Sequence, residues 1–262
     1  LSDAFSSLRP HEKVMVENMY ENKLSLFFSD LFSSDSALHK KAQQAISNIY
    51  FGTTGAAAVN NAIYRLSIKD KDYFDSKARL ISELGFIKDS VTDDIPVYLK
   101  NIYEQTADTS MFQNEAIMAL ARLKTTGSFK ILKELMLQDP PIFKEEDDYE
   151  IFFGHLRDSM ELSKSLFPQV LQLSTLSDYK QNIIDLLVTL VDSGYVKAAD
   201  YQSYYPGIYI DAKVAWKKQQ AKEEKMMEAS NKKIMENEEE DMEDDYVSGG
   251  NSYELNDYAV LL

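Results

Sequence analysis

The chain contains no cysteine, so no disulfide framework and no cysteine-ligated metal can hold it together. That absence fits either redox compartment. Proline and glycine are scarce, 6 and 9 of 262 residues. All-β folds turn often and need both, so their scarcity favours helices. No apolar run approaches the roughly 18 residues of a membrane span. Also missing are the His-Glu-x-x-His, Gly-x-Ser-x-Gly and Gly-x-Gly-x-x-Gly patterns and the Gly-Lys-Ser/Thr of a phosphate-binding loop. The three histidines, His11, His39 and His155, fall in different predicted elements, which suits surface or partly packed positions rather than a ligand set. Basic residues are few: 28 Lys and Arg against 43 Asp and Glu give a formal net charge of −15. That balance opposes nucleic acid or an anionic membrane surface as the main partner.

What is present is helical periodicity. The hydrophobic fraction is 44%, enough for a sizeable core. The clearest stretch runs from Ser110 to Gln138. Ala116, Ala119, Leu120 and Leu123 recur at helical spacing, and Phe129, Leu132, Leu135 and Met136 do so again. Two amphipathic helices are predicted, with Thr125, Thr126 and Gly127 between them. Ser110 and Gln113 match a capping box at the first helix start. Pro140-Pro141 ends the second sharply. One apolar stripe per helix cannot be buried by the pair alone, so similar neighbours are required on either side.

The chain supplies them. Asp35 to Tyr50 carries Leu38, Ala42, Ala45, Ile46 and Ile49 in phase; Gly52 stops it, and Gly55 precedes a helix with Val59, Ala62 and Ile63. Asp70 to Phe86 places Phe74, Ala78, Ile81 and Leu84 on one stripe. Thr92-Asp-Asp94 offers caps for a helix bearing Ile95, Leu99 and Ile102, and Pro96 is tolerated in its first turn. Asp147 to Leu156 and Leu162 to Leu173 form a looser pair, the second kinked at Pro168. Asp178 to Val191 is apolar nearly all round and must lie between neighbours; Gly194 closes it.

The pairs begin near residues 35, 70, 110, 147 and 177, a spacing within or just under that of helical-hairpin repeats. Ala42, Ala78 and Ala116 occupy similar early positions, and Ile49, Leu84 and Leu123 similar late ones. This alternation resembles HEAT or armadillo-type repeats, mainly over Asp35 to Gly194. The tryptophan-glycine-tyrosine pattern of tetratricopeptide repeats and the Thr-Pro-Leu-His signature of ankyrin are missing. The resemblance implies an all-α, helical-hairpin repeat solenoid, a superhelix of helix pairs that binds other proteins along one face. It implies no catalytic residue and no cofactor.

The predicted organisation is therefore N-terminal helices over 1–34 and HEAT-like repeats over 35–194. An aromatic segment and long charged helix follow over 195–235, acting as a C-terminal cap. An acidic and Gly/Ser linker spans 236–252, and a further helix starts at 253–262. Glu236 to Asp245 holds eight carboxylates and no base, so more than half of the net charge sits there and the rest of the chain is only moderately acidic. Like charges that bury nothing predict a mobile run. A first residue of Leu and the ending Tyr258-Ala-Val-Leu-Leu262 suggest a piece of a longer protein.

Three features bear on function. Asp70, Asp72 and Asp75 partly match a calcium loop, but Asp75 stands where that loop needs glycine, so capping and solvation are the better reading. Carboxylates are so plentiful that no single acid pair is informative. The tyrosine-rich stretch is more distinctive: Tyr201, Tyr204, Tyr205 and Tyr209, with Trp216, suit an interface because aromatic rings give large contact area at small entropic cost. Either they form a partner-binding patch or they pack back on the last hairpins as a terminal cap. The cap is preferred, because the outer side of Asp178 to Val191 needs cover and the segment Tyr195 to Trp216 is nearest. On that reading a chain ending after Lys233 keeps its cap. The expected function is a non-catalytic scaffold that binds a protein or peptide. The alternative is an accessory helical region of a larger enzyme whose catalytic domain lies elsewhere.

Overall fold

The computed structural model describes residues 23–52, 55–70, 72–87, 94–106, 111–236 and 250–262. Among them the fold is all-α, with no strand. Packing divides the chain into two compact units, Leu1–Phe51 and Gly52–Leu262.

In the first unit, α1 (Leu24–Leu31) packs on α2 (Ser36–Ala45), which ends in a 3-10 turn, Ile46–Asn48. Asp35 is the α2 N-cap: its Oδ1 accepts from the backbone N–H of Ala37 at 2.8 Å and of Leu38 at 3.4 Å, satisfying donors that have no helical partner. Phe27, Leu31, Ala42, Ile46 and Phe51 are buried, with the Phe27 and Phe51 rings edge-to-face at 5.6 Å. Leu38, expected on the buried stripe, is exposed.

The second unit contains α3 (Ala56–Arg65), α4 (Tyr73–Leu84), α5 (Asp94–Gln105), α6 (Met111–Leu123), α7 (Thr126–Gln138), α8 (Glu146–Arg157) and α9 (Met160–Ser163). Two 3-10 segments, Lys164–Leu166 and Gln169–Thr175, precede α10 (Ser177–Asp192); a third, Ala198–Tyr204, leads into α11 (Tyr205–Glu236), and α12 (Gly250–Leu261) is last. The described residues of α4, α6, α8 and α10 touch in succession, forming a row. A second line runs through α5, α7 and the 3-10 segments: α5 lies on α6 and α7, and α7 meets Lys164–Leu166 and Gln169–Thr175. The expected kinked helix over Leu162 to Leu173 is thus three short pieces, with Pro168 in the gap.

α6 sits in contact with α4, α5, α7 and α8, and its sequence suits that position. Ala116, Ala119 and Ala121 are small enough for close approach, while Ile117, Leu120 and Leu123 fill the space; all six are buried. The turn after it is shorter than its composition predicts. Lys124 takes a left-handed conformation, φ 53°, and Thr125 already caps α7. Its Oγ1 accepts from the Ser128 N–H at 3.0 Å, and the Ser128 Oγ accepts from the Thr125 N–H at 3.2 Å. Thr126 and Gly127 are therefore in the first turn of α7 and not in the loop. The capping box expected at Ser110 falls outside the described residues.

α10 is buried between neighbours as its composition demands: Ile183, Ile184, Leu186, Leu187 and Leu190 are all core. It ends at Gly194, φ 74°, a conformation that favours glycine. The outer cover of α10 differs from expectation. α12 packs on both α10 and α11, and its Tyr258 and Leu261 are buried. A chain ending after Lys233 would lose this helix. α12 also begins at Gly250, inside the stretch read as linker. The acidic run, apart from the α11 end at Glu236, lies outside the described residues.

Candidate interaction surfaces

The tyrosine segment is split by the fold. Tyr201 is buried, its ring edge-to-face with Tyr205 at 5.4 Å, and its hydroxyl donates to the Leu261 carbonyl at 3.2 Å. Burial pushes the Tyr201 hydroxyl up from its ordinary value. Tyr204 and Tyr205 are half-buried. Further along α11, Ile208 and Ala215 are buried. Tyr209 is 50% exposed and Trp216 54%, so neither packs back as a cap. They stand seven residues apart, nearly the same angle on a helix of 3.6 residues per turn. Lys213 Nζ lies 4.4 Å from the Tyr209 ring centre. Of the five aromatic residues, Tyr201 closes the structure, while Tyr209 and Trp216 remain on the open surface.

A second surface follows the row α4–α6–α8–α10. Between α6 and α8 is a groove of about 170 Å³. Met118 and Phe143 in it are buried, and Met111 at its rim is 51% exposed. Asn114, Glu115 and Asp148 supply its polar lining together with Lys144. The Asn114 Oδ1 is buried and has no hydrogen-bond partner. The Glu115 carboxyl is pushed up from its ordinary value by burial and, less, by Asp148, against the opposing charge of Arg122 and a hydrogen bond with the Ser82 side chain. Arg122 ties α6 to α4: its Nη1 donates to the Ser82 Oγ at 2.9 Å and the Ser82 carbonyl at 3.3 Å. The guanidinium lies 4.7 Å from the Phe86 ring centre. Burial, then the positive charges of Arg122 and Lys124, hold the His155 ring below its ordinary value.

Between α8 and α10 is a larger groove of about 450 Å³, walled by Glu146, Asp147 and Glu150 on one side and Gln181 and Asp185 on the other. Gln181 Nε2 donates to Asp185 Oδ1 at 2.7 Å and to Asp257 Oδ2 of α12 at 3.2 Å. The Asp185 carboxyl is pushed up to about 6, mainly by burial and then by the neighbouring Asp257 charge, with Arg157 opposing. The larger groove is polar throughout, with Arg157 among its acids and amides, and the smaller one combines apolar walls with Asn114, Glu115, Lys144 and Asp148.

The acids of the supposed calcium loop have local partners. Asp70 Oδ2 accepts from the Ser67 N–H at 2.7 Å, and Asp75 pairs with Arg79 at 3.1 Å. Among the described residues no group of three or more His, Asp or Glu side chains converges in a way that could hold a metal ion. No helix among them is long and apolar enough to cross a membrane. His39 Nδ1 lies 2.6 Å from the Leu31 carbonyl, and His11 lies outside the described residues.

The acidic plenty that made single carboxylates uninformative in the sequence hid the groove residues. One signal was available: Glu115 and Arg122 are the two charged residues of α6 and sit seven residues apart, so they share one face of it. Comparison of the chain with protein-family models, with curated proteins and with solved structures returns no match.

Proposed function

We propose that the chain is a non-catalytic helical-repeat scaffold, of the HEAT-like solenoid kind, that binds a protein or peptide along its row of stacked helices. The observation that carries this reading is the succession of contacts α4–α6–α8–α10, with intervening elements forming a second line. Stacked helix pairs produce an extended surface of parallel ridges and grooves, and such surfaces take elongated ligands. The two grooves on either side of α8 have that form, each lined by residues of neighbouring row members or the loop between them.

The test is selection of displayed random peptides on the immobilised full chain, followed by titration of the selected sequences. The reading expects saturable ligands that compete with one another and are lost on thermal unfolding. Selection that yields no saturable ligand of any composition rejects it.

A further inference from the structure

We infer that the outward face of α11 between Tyr209 and Lys217 is a docking surface for an acidic amphipathic helix. This face lies off the row α4–α6–α8–α10, so the inference goes beyond the scaffold reading and is tested apart from it. Successive residues of an α-helix turn by about 100°, which fixes the order of side chains across the face. Tyr209 and Trp216 form one flank, Ile210 and Val214 form the other, and Lys213 and Lys217 stand between them. All of these are exposed, whereas Ile208 and Ala215, on the opposite side of the helix, are buried. Apolar side chains exposed together, rather than singly, mark interaction sites. Tyrosine and tryptophan are among the residues that dominate interface energetics.

The charge here has the opposite sign to that of the chain. From Tyr205 to Lys222 there are four lysines and one acid, Asp211, within a formal net charge of −15. Asp211 is taken up by Lys180 of α10 at 2.8 Å. Ion pairs along a helix join residues three or four apart. Around Lys213 and Lys217 those positions hold Tyr209, Ile210, Val214, Trp216, Gln220, Ala221 and the two lysines themselves. Lys213 faces the Tyr209 ring, and neither lysine has a carboxylate partner among the described residues. Like charges one turn apart repel. Two carboxylates four residues apart on a facing helix stand the same ~6 Å apart as the two lysines, and would relieve that repulsion while apolar neighbours covered the flanks. A neutral or basic segment would leave it. A nucleic acid or an anionic membrane spreads its charge over an extended surface and meets the acidic remainder of the chain as well. A single helix, within the roughly 8 Å screening length of physiological salt, meets the lysines.

Trp216 is the single tryptophan of the chain, so its emission reports on this face. The test titrates the full chain with a synthetic peptide of Leu, Ala and Glu, about 18 residues long so that it holds a helix, with Glu pairs four apart beside a Leu stripe. A saturable change in Trp216 emission is expected. Lys213→Glu with Lys217→Glu should weaken binding about tenfold or more. Ile210→Ser with Val214→Ser should weaken it about fivefold or more; these leave the net charge unchanged, so their effect separates docking from diffuse attraction. Lys40→Glu with Lys41→Glu, exposed on α2, change the net charge as much as the α11 lysine pair and should alter affinity less than about twofold. All these positions are exposed, so the variants keep the fold, which far-UV circular dichroism checks. The inference is overturned by no saturable change, by equal losses for the two lysine pairs, or by equal binding of a scrambled peptide of the same composition. It is also overturned if phosphatidylserine vesicles or poly(U) change the emission and the peptide does not. A change with chain concentration alone assigns the face to a second copy, and a peptide response seen only after deletion of residues 237–245 assigns it to the chain's own acidic run; either overturns the inference. None of these outcomes involves the grooves of the row, so the scaffold reading is judged separately.

Discussion

A Cβ placed on Gly85 would stand 2.8 Å from the Cα of Ala119 and 3.0 Å from its carbonyl oxygen. Gly85 ends α4, and Ala119 lies mid-way along α6, so the two helices approach there as closely as their backbones allow. The Gly85 backbone is ordinary, φ −69° and ψ −14°, so space, not conformation, requires the glycine. Gly85→Ala should destabilise by about 1–3 kcal/mol, because the clashing atoms are backbone and cannot rotate away. Gly154, inside α8, has nothing within 4 Å of a built Cβ, and Gly154→Ala should stabilise by about 0.5–1 kcal/mol. Urea denaturation of both variants checks the pair. Equal effects would mean that α4 and α6 do not approach this closely.

Leu120 and Leu187 have no exposed surface. They belong to α6 and α10, the two row members enclosed on most sides. Replacing either by alanine should cost about 2–5 kcal/mol through lost burial and an unfilled cavity. A loss below roughly 0.5 kcal/mol, the scale of surface substitutions, would show that the side chain is not in the core.

Asp185 should make the packing of α12 sensitive to pH. Burial and then the Asp257 charge push its folded carboxyl up to about 6, from an ordinary value of 3.8. Between those values the folded state holds more protons than the unfolded one, so this group's contribution to stability falls as pH rises through that window. It is most favourable below about pH 4 and fully lost above about pH 6. The groups facing it are Asp257 from α12, Gln181 from its own helix and Arg157 from α8. Asp185→Asn should therefore melt higher than wild type at pH 7.5, and the advantage should vanish near pH 4. A constant difference at both values would show that the carboxyl does not titrate in this window.

The cover over α10 predicts the effect of removing α12. A chain ending at Lys233 loses Tyr258 and Leu261, both 1% exposed, and uncovers Tyr201 and part of α10. Its melting temperature should fall, and it should bind a hydrophobic dye that the full chain does not. A chain ending before Tyr195 should be worse still, since it also loses Tyr201. Unchanged melting at Lys233 would mean that α11 alone supplies the cap.

The sequence by itself determined the helices, most of their ends and most of the residues they bury. These follow from local rules: apolar spacing of three and four residues, glycine at the close of α10, and Pro140-Pro141 after α7. Ala116, Leu120, Leu123, Ile183 and Leu187 are core, as their spacing predicts. Phe74 shows where such rules stop. It keeps helical phase, yet it is 54% exposed and stacks on Phe112. The helix boundary at Thr125 was also hidden, since Thr-Thr-Gly reads equally as a loop or as a cap with its first turn. Only Lys124, in a left-handed conformation, and the reciprocal Thr125–Ser128 hydrogen bonds decide between them.

Tertiary structure alone decided what surrounds each side chain. Tyr201 and Tyr209 belong to one tyrosine-rich stretch, but α12 covers the first and leaves the second open. Glu115 and Asp148 are far apart in sequence and unremarkable among 43 acids; the packing of α6 beside α8 brings them into the lining of one groove. Periodicity is carried by neighbours three and four residues away, so a sequence displays it directly. Burial, repulsion and unmet hydrogen bonds depend on which helix arrives from elsewhere in the chain, and that is settled only when the core closes.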